Sequence, residues 1–169
     1  MNPFLLTALK KRLQDDLADL MLETRDGKDE DKRRPVQVFI GDLPPKKRAP
    51  GQTDPLGEYF PCIILVPTSG SLEDGEDATV VAVIFAVFCP EDGDAEGAEM
   101  DFALLLSRIK QSLRPCVTKP LEKRFRLIED AKGYFPWEKS DMQPRPYIQA
   151  TMMTHWRMKG LEGEGVAHV

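Results

Sequence analysis

Histidine is scarce in this chain, with only His155 and His168 among 169 residues. A Ser–His or Cys–His catalytic pair would have to use one of them, and no nucleophile motif such as GxSxG is present. His155 falls inside a strand-like run, where a hydrogen-bonded structural histidine is the expectation. Neither GxxxxGKS/T nor GxGxxG occurs, so phosphate-cradling nucleotide binding has no basis in the sequence. Cysteine is sparse as well. Cys62, Cys89 and Cys116 are odd in number and far apart, which argues against a disulfide framework or a zinc site and for small buried thiols. Long apolar runs are absent: none approaches the ~20 residues a membrane span needs. The N-terminal MNPFLLTALKKRLQDDLADL lacks the basic, apolar, small-residue order of a signal peptide. The expectation is a cytoplasmic protein with no membrane contact and no cofactor.

Basic residues are missing from one long stretch. Residues 49–107 contain no Lys or Arg and 12 acids, whereas residues 1–48 carry a net +2 and residues 108–169 a net +5. Such segregation says little about fold, but it makes complementary contacts between copies, or with a partner, physically plausible.

What is present is the pattern of one α+β domain over 1–160, followed by a C-terminal tail at 161–169. Apolar residues recur with helical period from Phe4 to Met21, after a Pro3 suited to a first turn, and predict a helix over 3–23. VQVFIG at 36–41 reads as a short strand. DLPPKKRAPGQTDPLGEY at 42–59 holds four prolines and exceeds the usual length of a connection, so it reads as a long loop with a use of its own. FPCIILVPT at 60–68 and the run from Ala78 read as a hairpin around an acidic turn. A second helix spans about 95–113, with an apolar stripe of Phe102, Leu105, Leu106, Ile109 and Leu113. RFRLIED at 124–130 and YIQATMMTHWRM at 147–158 complete the order α-β-β-β-α-β-β. The fold expected is a single, mostly antiparallel sheet of four to five strands flanked by two helices.

The run ATVVAVIFAVFC is apolar on both faces and then meets the acids of PEDGDAEG. Thr79, Val81, Val83, Phe85 and Val87 point one way; Val80, Ala82, Ile84, Ala86 and Phe88 point the other. Both faces need cover, and two helices leave little for the second. A neighbouring subunit or the 42–59 loop would supply it, with the small side chains Ala82 and Ala86 marking the site of close approach. Lys46, Lys47 and Arg48 in the loop are candidates for pairing with the acidic segment of another copy.

DGDAEGAEMDFA imitates a calcium loop through Asp92, Asp94, Glu96 and Gly97. Its twelfth position is Ala103 instead of the required Glu, so a solvated turn and helix start is expected. KRR at Lys32–Arg34 and KKR at Lys46–Arg48 lack interleaved aromatics, so protein-facing or solvated charge is favoured over phosphate contact.

Taken together, the N-terminal helix and the stretches FPCIILVP, EDGEDATV and PYIQATMMTHW resemble the small tail-completion proteins of phage and prophage head–tail gene clusters. The resemblance covers about residues 60–158 and leaves the Pro-rich loop without a counterpart. It implies a tail terminator: a non-enzymatic structural protein that assembles as an oligomeric ring, commonly a hexamer. Such a ring caps the tail tube and joins it to the head connector, and it is cytoplasmic during assembly and later part of the virion. DNA would pass through the ring without specific binding, past a bore for which the acids Glu73, Asp74, Glu76 and Asp77 are candidates. A protein-binding adaptor or secretion chaperone, monomeric or dimeric, is the alternative, and a small enzyme the third.

Overall fold

In the computed structural model, residues 1–24, 33–45, 57–89, 95–141 and 146–158 are described. Helix α1 (Phe4–Asp16) starts where Asn2 Oδ1 accepts the Phe4 N–H at 2.9 Å, and it buries Leu5, Leu9 and Leu13. Two short strands, β1 (Met21–Glu23) and β2 (Arg33–Pro35), pair antiparallel as a separate ribbon. The main sheet contains β3 (Gln37–Ile40), β4 (Cys62–Glu73), β5 (Glu76–Phe88), β6 (Phe125–Ile128), β7 (Trp137–Lys139) and β8 (Tyr147–Met158). Helix α2 (Ala95–Leu113) runs between β5 and β6 and passes into a short 3-10 turn at Arg114–Val117.

The strand order is β3-β4-β5-β8-β6, with β7 also against β8. The α+β class stands. The expected single, mostly antiparallel sheet of four to five strands does not: there are two sheets, of two and six strands, and the larger is mixed because β3 runs parallel to β4. A parallel neighbour obliges the chain to travel back along the full strand before re-entering the sheet, which takes a dozen or more residues. The length of the 42–59 connection is what that return requires.

β5 is central and pairs over its whole length with β8, from Asp77↔Met158 to Phe88↔Tyr147. On its other side it forms a hairpin with β4. Asp74 (φ 51°) and Gly75 (φ 77°) make the two-residue turn, the positive φ at both positions fitting a primed turn. A bulge between Pro67 and Ser69 shifts the hairpin register.

Both helices pack on one side of this sheet. Val81, Val83, Phe85 and Val87 join Leu9, Leu13, Phe102, Leu105, Ile109 and Trp156 in one buried core. The Phe85 and Phe102 rings stack at 5.2 Å. α1 and α2 are also tied by charge: Arg108 donates to Asp16 O at 2.8 Å and pairs with Asp19 at 2.6 Å, which lowers the Asp19 pKa. Ser112 donates to Asp16 Oδ2 at 2.6 Å.

Candidate assembly surface

The opposite face of the sheet is built by the strand alternation of three neighbours. The register sets Ile64, Ile84 and Thr151 in one row and Val66, Ala82 and Met153 in the next, with Val80 beside His155. All but Ala82 remain half-buried, and among the described residues no helix packs over them. Ala82 lies on the floor between larger neighbours and is only 4% exposed. Ala86 lies elsewhere on the same face, beneath a small second core.

That second core closes one end of the face. Phe60 stacks on Tyr147 at 3.8 Å, Phe88 meets Tyr147 at 6.5 Å, and Phe39 meets Tyr59 edge-on at 5.5 Å. With Cys62, Ala86, Leu43 and Ile64 they form an apolar cluster separate from the one under the helices. The short turn at Gly57–Tyr59 that brings Tyr59 here is held by Glu58 O, which accepts from Gln37 Nε2 at 2.8 Å and from Arg34.

Charges close the other end. Arg157 on β8 reaches Glu73 at 2.7 Å and Glu76 at 3.5 Å, spanning the base of the β4–β5 turn. Asp77 pairs with the Met1 amino group at 3.4 Å. Three of the four acids named as bore candidates, Glu73, Glu76 and Asp77, are therefore engaged within the chain, while Asp74 occupies the turn itself. Arg126 lies directly across from Arg157 in the β6–β8 register and is exposed. His155 Nε2 lies 3.1 Å from Asp130 Oδ2, so the strand histidine has a carboxylate partner. Lys46, Lys47 and Arg48, like Asp92 and Asp94, lie outside the described residues.

No group of three His, Cys, Asp or Glu side chains able to hold a metal occurs among the described residues. A groove between the C-terminal half of α2 and Tyr134–Phe135 is lined by Lys110, Arg114 and polar or apolar neighbours, with no carboxylate or histidine to act as a base. No helix among the described residues is long and apolar enough to cross a membrane.

The cysteines are free. Burial pushes the Cys62 thiol up to about 12, and burial also raises Cys116, against a smaller opposing pull from Arg12. Since the thiolate is the reactive form, a thiol reagent at pH 8 is expected to modify the half-buried Cys89 in the native protein. Cys62 and Cys116 should react only on unfolding. Rapid reaction of all three without denaturant would contradict this burial.

Sequence reasoning missed Arg157 and Arg126 as members of this surface because each lies far along the chain from the hairpin it borders. It also left Met100 and Leu104 without a role, although both are apolar residues outside the buried stripe of α2. Compared with protein-family models and with curated proteins, the chain matches none.

Proposed function

We propose that this protein is a non-enzymatic ring subunit of the tail-terminator kind, which caps a phage tail tube and joins it to the head connector. One observation carries the reading. The central strand has helices on one apolar face, while the other apolar face, around Val66, Val80, Ile84 and Met153, is only half-buried. An apolar sheet face of this kind gains free energy when covered, at roughly 25 cal/mol per Å2 of apolar surface removed from water. The lopsided charge along the chain supports contacts between unlike patches of successive copies. In such a ring the β4–β5 turn, with Glu73, Asp74, Glu76 and Asp77, borders the bore. DNA slides past carboxylates that do not hold phosphate, and the protein acts first in the cytoplasm and then in the virion.

A second reading, an adaptor or secretion chaperone, draws on a different feature. β3 pairs with β4 only up to Leu65, so the outer edge of β4 from Pro67 to Glu73 is unpaired among the described residues. An open edge can accept an extended peptide. Light scattering across a concentration series, with electron microscopy of the associated fraction, separates the two. Closed rings, six-membered by expectation, support the terminator. A species that stays monomeric or dimeric at every concentration and takes up a peptide strand supports the adaptor.

A further inference from the structure

We infer that the outward stripe of α2 is the counterpart of the uncovered sheet face, so that copies of this chain join head to tail, α2 of one lying along β8 and β5 of the next. The inference rests on the ring reading above and names the surfaces that make the ring.

Two surfaces of one molecule are unmatched, and they match each other. α2 buries Phe102, Leu105, Ile109 and Leu113 against its own sheet, yet it also carries Met100 and Leu104 one turn apart on its solvent side, 66% and 45% exposed. With helical spacing these two fall on one stripe. A two-sided helix has a reason to be apolar on its outer side when a second layer meets it. The uncovered sheet face, with Ala82 as a low floor between Val66 and Met153, is the kind of surface a helix packs upon.

Charge sets the direction. The same stripe begins at Glu96 and ends at Arg114, both exposed. The sheet face carries Arg126 at one end, across from an Arg157 already engaged by Glu73 and Glu76, and towards the other carries Glu138, opposite Thr151. Laying the helix with its N-terminus over Arg126 puts Glu96 near arginine and Arg114 near Glu138; the reverse direction sets like charges together. The lengths agree. Six residues of β8 separate the two charged rows, about 20 Å, and the 18 residues from Glu96 to Arg114 rise about 27 Å, a difference that long side chains close. Because helix stripe and sheet face are different patches, the contact is heterologous. It closes as a ring, or propagates if the rotation does not close.

The test uses the full chain in sedimentation velocity. Met100→Glu with Leu104→Glu spoils the stripe, and Met153→Glu, at a half-buried position beside Ala82, spoils the face. Each variant should weaken association at least about thirtyfold, the loss typical of a central interface contact, with its melting curve close to that of the parent. Mixed in equal amounts, the two retain one intact pair of surfaces and should form one-to-one pairs and nothing larger. As a check independent of packing, Arg126→Glu should weaken association at low salt and Glu96→Arg in the same chain should restore it. If the parent associates and these variants associate equally well, the α2–sheet contact is wrong while the ring reading stands. If the parent remains monomeric at every concentration in low salt, both fall.

Discussion

Replacing Trp156 with alanine is expected to cost about 3–5 kcal/mol of folding stability, the range for removing a large aromatic from a core. Trp156 is 1% exposed in the helix-side core. Its indole also anchors a short buried polar chain. Nε1–H donates to Thr154 Oγ1 at 2.8 Å, and that hydroxyl donates to Val81 O at 2.8 Å, linking β8 to β5. Truncation therefore leaves a cavity and also removes the donor that satisfies the buried Thr154 oxygen. For a domain whose total stability is roughly 5–15 kcal/mol, the variant should be largely unfolded well below the melting temperature of the parent. Trp156→Phe keeps most of the volume and loses the hydrogen bond, so its cost should be about 1–3 kcal/mol. Chemical denaturation of the three proteins measures the ladder. Equal stability of Trp156→Ala and Trp156→Phe would show that the cavity contributes nothing.

The second large effect is expected at Phe102, where the helix, the central strand and the sheet margin meet. Its ring stacks on Phe85, sits 5.8 Å from Trp137 on β7, and lies under Lys139 Nζ at 5.0 Å. Lys139 in turn pairs with Glu99, one turn earlier on α2, at 2.7 Å. Phe102→Ala should cost about 3–5 kcal/mol and should also loosen β7, which is held to α2 by this ring together with the Lys139–Glu99 pair. Amide exchange reads the two effects separately. Residues 137–139 should lose protection beyond the global loss, whereas protection that falls uniformly would mean β7 is held by its pairing with β8 and by the Lys139–Glu99 pair, without the ring.

The elements with strong periodicity were legible before the structure. α2 and β8 have the expected bounds, and β5 lies where its apolar run stands, because each buries a long stripe or alternating face that composition cannot hide. α1 was not read correctly at its end. Leu17, Leu20 and Met21 continue the helical spacing, so the expected helix ran to residue 23, yet it stops at Asp16. Asp15, Asp16 and Asp19 crowd the negative end of the helix dipole, and the structure meets this with Arg108 from α2, which sequence order alone does not bring there. β4 extends five residues beyond the expected 60–68 stretch, through SGSLE. Those residues read as turn because an exposed edge strand paired on one side needs no apolar pattern. β1, β2 and β7 are three-residue strands, too short for any period to register, and Arg33–Pro35 has no apolar signal at all.

The candidate surface was half legible. Two-sided apolarity of β5 foretold that a second face would need cover, and the helices do lie together on the other side. The charged border could not be read, since Arg157 stands 84 positions from Glu73 along the chain. Only the β5–β8 register brings them together.

That register also sets a hazard in synthesis. The β4–β5 hairpin can close as soon as residue 88 is made, but β5 gains its second neighbour only when Tyr147–Met158 arrive, at least 59 positions later from Phe88 to Tyr147. Until then the most apolar strand in the protein is a sheet edge, with open amides and two greasy sides. Long-range pairing of this sort folds slowly and exposes the intermediate to sticking. A chain cut short before Tyr147 should therefore accumulate as aggregate instead of as a smaller folded domain, and the cell's demand for holding chaperones should peak while α2 and the β6–β7 region are being made.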